Sequence, residues 1–399
     1  MSIARRVNRI KPSPSTAAAQ RVRELEARGR EILDLTVGEP DFDTPAHVKA
    51  AAIEAIERGE TKYTPVNGTP ELRAAITAKL AGRHGLTYPA EAITVGGGAK
   101  QVIFLALMAT VDSGDEVIIP APYWVSYPDM VLANDGTPVI VPCAEEDGFK
   151  LTPGRLEAAI TPATRWVILN APGNPTGAAY TAGDLRALAD VLLAHPRVQV
   201  LTDEIYDEIW YGRGLPTTLA AVEPRLRDRV FLTNGVSKTY AMTGWRIGYG
   251  VGSPALAGAI NKLQSQISSC PSSVSQAAAA AALSGPQDFV AQTVAVYRER
   301  RDEAVKLLGD APGLSCLEPS GGFYLFVNCT ALLGKRTPAG EKVRSDEDFT
   351  AHLLESQQVA VIHGSAYGSP GYFRISFATS NSVLREACER IRRACADLR

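Results

Sequence analysis

Four groups of residues in this sequence have the types and spacing that chemistry requires. Gly96-Gly97-Gly98-Ala99-Lys100-Gln101 follows an apolar run and opens a helical pattern. Small residues there let backbone N–H groups and a helix N-terminus meet a phosphate, although without a ligand the same residues make a tight turn. Asn170-Ala171-Pro172-Gly173-Asn174-Pro175-Thr176-Gly177 is rich in residues that fix φ or permit unusual φ, and alone it reads as a strand-to-helix connection. Asp203-Glu204-Ile205-Tyr206 places an acid just beyond an apolar strand, with a phenol shortly after it. Such a carboxylate, if buried, needs a cationic partner. Thr233-Asn234-Gly235-Val236-Ser237-Lys238 ends on a lysine and is followed by Met242-Thr243-Gly244-Trp245-Arg246-Ile247-Gly248. A single lysine after a strand is either a solvated loop residue or a catalytic amine.

The elements around these groups decide whether they can meet. From Ile93 to Val251 short β-branched runs alternate with longer helical patterns, the signature of βαβ units and a mostly parallel sheet. The expected strands are Ile93 to Val95, Glu116 to Ile119, Pro138 to Val141, Trp166 to Asn170, Val198 to Thr202, Arg229 to Thr233 and Arg246 to Val251. Most are near-continuous apolar runs, as strands covered on both faces should be. Helices are expected at Gly98 to Val111 and at Thr181 to Ala194, the second opening with a Thr N-cap and Asp184. All four groups then fall at carboxyl ends of strands, where open α/β sheets collect their ligands. A long helical pattern from Asp288 runs through Leu308, after which Gly321 to Val327, Val359 to Ile362 and Tyr372 to Ser376 read as strands of a smaller unit. The last helix starts at about Ser382. The expected organisation is α/β, with a large domain at 46–290, a small C-terminal domain at 291–399, and an N-terminal arm at 1–45 that joins the small one.

Bulk properties narrow the function classes. A chain of 399 residues is long enough for two domains of ~100 to 200 residues each. Its 41 basic and 43 acidic residues are interleaved, so no basic stripe is present to release counterions from nucleic acid. Cys143, Cys270, Cys316, Cys329, Cys388 and Cys395 lie far apart without a CxxC pair, which argues against a zinc site or a disulfide framework. Reduced thiols in a cytoplasm are expected. No continuous apolar stretch follows the N-terminal charges, so no secretory signal is expected, and no window reaches the ~18 apolar residues of a spanning helix. The run Gln276 to Leu283 is too short for that and reads as a buried helix. The glycine turn is neither a Walker loop nor a GxGxxG fingerprint, which disfavours a nicotinamide oxidoreductase.

In this order and spacing the four groups resemble those of the fold-type-I pyridoxal-phosphate enzymes, specifically class I aminotransferases of the aspartate aminotransferase family. Leu35-Thr36-Val37-Gly38-Glu39-Pro40-Asp41-Phe42, Lys62-Tyr63-Thr64-Pro65, Pro122-Tyr123-Trp124-Val125-Ser126-Tyr127 and Phe373-Arg374-Ile375-Ser376 match as well, so the resemblance covers nearly the whole chain. It implies a pyridoxal 5′-phosphate cofactor held as a Schiff base on Lys238, whose freed amine moves the substrate Cα proton. Asp203 is implied to keep the pyridine nitrogen protonated, Tyr206 and Asn174 to hydrogen-bond the ring O3′, and Trp124 to stack on the ring. The backbone around Ala99 and Lys100, Ser237 and the Arg246 fork are implied phosphate anchors. Tyr63 matches a tyrosine that reaches the phosphate of the neighbouring subunit, implying a homodimer with shared active sites. Arg374 matches the residue that clamps the substrate α-carboxylate, with a Gly38 backbone contact nearby; outside that setting it would read as a surface salt bridge.

The chain also departs from the pattern. Gly235 stands where many members carry a serine three positions before the lysine, which removes a phosphate contact that Ser237 replaces only in part. Ala171 and Gly173 replace serines common in that turn, while Asn174 is kept. Lys100 and the stretch Arg9-Ile10-Lys11-Pro12-Ser13 resemble a bacterial subgroup in which a lysine after the glycine turn receives the distal carboxylate of aspartate or glutamate, and some of whose members accept prephenate. The resemblance thus implies amino-acid and 2-oxo-acid substrates, with aspartate:2-oxoglutarate transamination first. Lys11 is the weaker match, since a basic residue near a terminus is usually solvated. A β-lyase, or an aminotransferase for aromatic or alanine-type substrates, would use the same Lys238, Asp203 and Arg374. A cofactor-binding regulator would carry an appended DNA-binding region, which is not expected here.

Overall fold

A computed structural model of the chain describes residues 3–12 and 14–399; Met1, Ser2 and Ser13 lie outside the described residues, and with Ser13 the end of the Arg9–Ser13 stretch. The first strand, β1 (Leu33–Asp34), belongs to a small pair apart from the central sheet. That sheet is built from β2 (Ile93–Gly96), β3 (Glu116–Ala121), β4 (Thr137–Pro142), β5 (Thr164–Asn170), β6 (Gln199–Asp203), β7 (Val230–Gly235) and β8 (Gly248–Val251). Its spatial order is β2-β8-β7-β6-β5-β3-β4, and β8 runs antiparallel to both of its neighbours while the other pairs are parallel. Residues of β7 and β8 are buried throughout, as strands covered by helices on both faces must be.

The reversal at β8 matters for function. A parallel neighbour would require a crossover to the far edge of the sheet, whereas an antiparallel one returns at the edge where β7 ends. Residues 236–247, with Lys238 and Arg246 among them, therefore stay at the carboxyl edge of the sheet. The sequence pattern places the start of β8 at Arg246; the strand begins instead at Gly248, because Arg246 takes the left-handed φ of +57° and cannot enter the ladder.

Three glycines lie side by side where this edge is most crowded: Gly248 pairs with Gly96 on one side and Gly235 on the other. A Cβ on Gly248 would fall 2.1 Å from the Ala99 nitrogen, so only a bare backbone lets the helix Ala99–Met108 begin directly against the sheet. That helix starts one residue later than its pattern suggests, because Gly98 is its N-cap at φ +98°. The helix Ala182–Ala194 opens with the expected Thr181 cap, completed by Asp184 into a capping box. The run Gln276 to Leu283 lies in the helix Ser273–Ser284, whose Gln276, Ala278, Ala279 and Ala282 are buried.

The C-terminal part adds β9 (Ser315–Cys316), β10 (Tyr324–Asn328), β11 (Val359–Ala360), β12 (Ile362–His363) and β13 (Tyr372–Ser376), of which all but β11 form a smaller four-stranded sheet. Its order is the antiparallel β12-β13-β10-β9, while β11 pairs in parallel with β1. The single strand expected over 359–362 is therefore two, divided at Val361, each serving a different partner. The expected strand from Gly321 starts at Tyr324. The closing helix Asn381–Asp397 buries Leu384, Cys388, Ile391 and Cys395, one stripe at helical spacing, against Phe349, Phe373 and Ile375. Each large apolar side chain buried there contributes roughly 1.5–3 kcal/mol, so Ile391→Asp would break this face. Among the described residues no helix is long and apolar enough to cross a membrane, and no group of three or more His, Cys, Asp or Glu is placed to hold a metal ion.

Candidate active site

A cavity of about 330 Å3 opens at the carboxyl ends of β5, β6 and β7 and is closed from the other side by Tyr324 of β10 and Arg374 of β13. Lys238 enters it from the β7–β8 connection, and its Nζ donates to the Gly38 carbonyl at 2.5 Å. Burial lowers the amine pKa to about 8; the Glu39 carboxylate opposes this, while the Arg246 and Arg374 charges reinforce it. Glu39 is held in turn by the Thr243 hydroxyl at 2.7 Å. Lys238 thus has far more neutral, nucleophilic amine near pH 7 than an exposed lysine.

Asp203 is the last residue of β6 and is buried. Its Oδ2 accepts from the Tyr127 hydroxyl at 2.6 Å and its Oδ1 from the Ile205 N–H at 3.3 Å. Burial raises its pKa to about 6, against the lowering effect of Tyr127, the Ile205 N–H and Lys238, which leaves a carboxylate mostly ionised at neutral pH. Asn170, at the end of β5, donates to the Asp203 carbonyl at 2.8 Å and accepts from the Asn174 N–H at 2.9 Å, tying the strand end to the turn beside it. The Tyr206 and Tyr324 hydroxyls are 3.0 Å apart. Burial, then Tyr324, pushes the Tyr206 phenol well above its ordinary pKa, so it stays a neutral donor.

The opposite end of the cavity is built to receive an anion. Ala99 and Lys100 line it from the first turn of their helix, where backbone N–H groups have no helical acceptor. Ser237 adds a hydroxyl. Arg246 lies across the turn, donating to the Gly97 carbonyl at 3.0 Å and the Thr243 carbonyl at 2.9 Å. A Cβ on Gly98 would lie 2.4 Å from Arg246 Nη2, so the cradle requires glycine. Gln101 Oε1 accepts from the Gly97 N–H at 2.5 Å and sets the turn. Gly235 also gains a physical reason: a Cβ there would meet the Ile247 carbonyl oxygen at 3.0 Å and Gly248 Cα at 3.1 Å, leaving little room for serine.

Arg374 is buried in β13, where Nη2 donates to the Thr36 carbonyl at 2.5 Å and Nη1 to Asn174 Oδ1 at 3.2 Å. Its guanidinium lies 4.4 Å from the Tyr324 ring centroid, and among the described residues its buried Nε has no partner, a donor left for a ligand. Trp124 is half-buried at the cavity wall, edge-on to Tyr127. Lys100 Nζ lies 4.8 Å from the Trp124 ring centroid, and burial, then Arg246, lowers its pKa.

Eleven of the thirteen residues expected from sequence line this one cavity; Tyr63 and Lys11 do not. Tyr63 is 90% exposed and lines a second depression with Arg58, Lys62 and Ser273. Lys11 is exposed, with its main-chain N–H on Asp129 Oδ1 at 3.0 Å, and Thr16 lines the cavity instead. Sequence reasoning also passed over Tyr127, Asn170 and Tyr324. The first two stand at the ends of matched segments, and no local signal marks Tyr324. The donor set fits a planar, phosphorylated ring with a basic nitrogen: a cationic cradle at one end, a carboxylate at the other, and an amine between them.

Residues 30–391 match the family model described as aminotransferase class I and II. The chain is 52% identical over 389 residues to the probable aspartate/prephenate aminotransferase of Rhizobium leguminosarum bv. phaseoli, covering 98% of this chain and 97% of that one. It is 51% identical over 390 residues to the aspartate/prephenate aminotransferase of Cereibacter sphaeroides, covering 98% of each. Among solved structures, the aspartate aminotransferase from Rhizobium meliloti superposes with a TM-score of 0.98 at 51% identity over 100% of both chains. The Thermus thermophilus aspartate aminotransferase with maleate gives 0.91 at 38% identity, over 99% of this chain and 100% of that one.

Proposed function

The chain belongs to the class I and II aminotransferases, and from that premise we propose that it uses pyridoxal 5′-phosphate to move the amino group of aspartate to 2-oxoglutarate, with prephenate as a further acceptor. The observation that carries the reading is the joint placement of the Lys238 amine, the Asp203 carboxylate and the Arg374 guanidinium in one cavity beside a phosphate cradle. The relatives named for aspartate and prephenate support the substrates.

When bound, pyridoxal phosphate supplies an aldehyde that links to amines and a ring that takes up electrons released at the substrate Cα. The chain's own residues do the rest. Ala99, Lys100, Ser237 and Arg246 hold the phosphate. Asp203 holds a proton on the ring nitrogen, and its pKa of about 6 leaves it ionised for that task near neutrality. Tyr206 donates toward the ring O3′. Asn174 does the same with its amide N–H, because its oxygen is already engaged by Arg374. Trp124 covers the ring face. Lys238 Nζ, neutral in a larger share than an ordinary lysine, would take the proton from substrate Cα and deliver it to the cofactor carbon that had carried the aldehyde.

Arg374 holds the substrate α-carboxylate with Gly38 nearby, and Lys100, over Trp124, receives the distal carboxylate. Lys11 is the more remote candidate for that acid. The exposure of Tyr63 suits a residue that acts in a partner subunit's site, so we read the enzyme as a cytoplasmic homodimer with shared sites. Residues 46–290 form the cofactor-binding domain of this reading, and 291–399 with 1–45 the smaller part. The test is a half-reaction screen in which the loaded protein meets each amino acid in turn. Aspartate and glutamate should change the cofactor absorbance fastest, and a faster response to aromatic donors, or release of pyruvate and ammonia, would favour the alternatives.

A further inference from the structure

We propose that Tyr127 is a positioning residue for this reaction, whose phenol fixes the Asp203 carboxylate in its ionised form and aims it at the ring nitrogen. This rests on the cofactor reading above and adds to it a residue outside the set that touches cofactor or substrate.

The observation is a buried pair from distant parts of the chain. Tyr127 is 1% exposed and Asp203 4%, and the phenol donates to Oδ2 at 2.6 Å. Among the described residues no other side chain donates a hydrogen bond to this carboxylate; the Ile205 N–H reaches Oδ1 at the longer distance of 3.3 Å. Two ligands on two oxygens fix the plane of the group. The groups facing Asp203 are Tyr127 from the helix Tyr127–Ala133, Tyr206 from its own loop, and Lys238 from the β7–β8 connection. Tyr206 is hydrogen-bonded to Tyr324 and Lys238 to Gly38, and among the described residues neither is hydrogen-bonded to the acid.

The chemistry of the donor explains the choice. A buried carboxylate without a donor reverts to its neutral form. An arginine or lysine would keep it ionised but would also neutralise it, leaving nothing for a protonated ring nitrogen. A phenol stabilises the anion by a charge-assisted bond and adds no charge. Burial, then the Asp203 charge, pushes the Tyr127 phenol far above its ordinary range, so it remains the donor at every working pH. The ring is edge-on to Trp124 at 5.2 Å, so one short segment carries both the ring that is to cover the cofactor and the phenol that sets its counter-ion.

The test uses the cofactor-free chain and pyridoxamine 5′-phosphate, which makes no covalent link to Lys238, with tryptophan fluorescence reporting the dissociation constant between pH 5 and 9. Losing the phenol destabilises the anion and raises its pKa, so Tyr127→Phe should move the acid loss of affinity upward by about one to two pH units, the scale of a charge-assisted hydrogen bond. At pH 9 the two proteins should bind within about twofold of each other. In an Asp203→Asn background the same change should leave the pH profile unmoved, whereas a packing defect would carry over. A monofluorinated tyrosine at position 127, a stronger donor of nearly the same shape, should move the profile downward, and decides the matter if Tyr127→Phe fails to fold. Identical profiles for wild type and Tyr127→Phe, or a shift that persists with Asn at 203, would overturn the role of Tyr127 alone. If the wild-type chain does not bind pyridoxamine phosphate, the cofactor reading falls and this inference with it.

Discussion

Arg374 Nη1 donates to Asn174 Oδ1 at 3.2 Å, joining β13 of the smaller sheet to the turn that leaves β5 of the large one. The guanidinium is also fastened to the Thr36 carbonyl, so its plane is set before any ligand arrives. Arg374→Lys keeps the charge but loses the planar fork. It should lower kcat/KM for aspartate about 10- to 150-fold, the value of a charge-assisted bond of ~1.5–3 kcal/mol, while the cofactor dissociation constant changes only a few-fold. Steady-state kinetics beside a cofactor titration separate the two. An equal loss of cofactor would make Arg374 a support of the site instead of a substrate clamp.

Lys100 offers a sharper test of substrate, because its ammonium lies over Trp124 at the cavity wall. Lys100→Ala should reduce kcat/KM for aspartate by roughly 10- to 150-fold, through loss of a charge-assisted bond of ~1.5–3 kcal/mol, and spare phenylalanine. The comparison is made at saturating cofactor. Equal losses for both donors would remove Lys100 from recognition of the distal acid and weaken the aspartate assignment.

The lowered pKa of Lys238 has a direct consequence for pH dependence. An amine must be neutral to attack an aldehyde, and its neutral fraction grows as pH rises through the pKa. With a pKa of about 8, roughly one amine in ten is free at pH 7, far more than for an ordinary lysine. Covalent uptake of pyridoxal phosphate by the cofactor-free chain, followed by absorbance, should therefore accelerate with pH and level off above about 8. A rate still climbing tenfold per unit near pH 10 would show that the site does not perturb this amine.

Tyr63 is exposed and remote from its own chain's cavity, so its expected work lies in a second subunit. Tyr63→Ala and Lys238→Ala should each be nearly inactive, and mixing them under subunit exchange should restore activity. A hybrid dimer then holds one site with both lesions and one with neither. No recovery after exchange verified by mass spectrometry would count against sharing.

The sequence was most informative where one residue type has few uses in its position. Asp203 closes β6, Asn174 and Lys238 lie shortly past β5 and β7, and Arg246 stands just before the antiparallel β8, so the carboxyl edge of one sheet brings them together. What it withheld was pairing. Nothing local distinguishes β8 as antiparallel, since a buried strand is an apolar run in either direction. Residues 359–362 look like one strand, because a change of partner at Val361 leaves no mark on composition. Tyr127 meets Asp203 only through the packing of the helix after β3 beside β6, and a tyrosine at a helix start otherwise reads as core.

If Lys238 performs the amine chemistry of this cavity, a single half-reaction without an acceptor must depend on it. Wild-type protein loaded with pyridoxal phosphate is mixed with L-aspartate, and oxaloacetate is counted against active sites. About one oxaloacetate per site is expected, with loss of product formation by several orders of magnitude in Lys238→Ala, whose circular dichroism should match wild type. Oxaloacetate formed by Lys238→Ala at the wild-type rate, or none formed by the wild-type protein, would contradict this expectation.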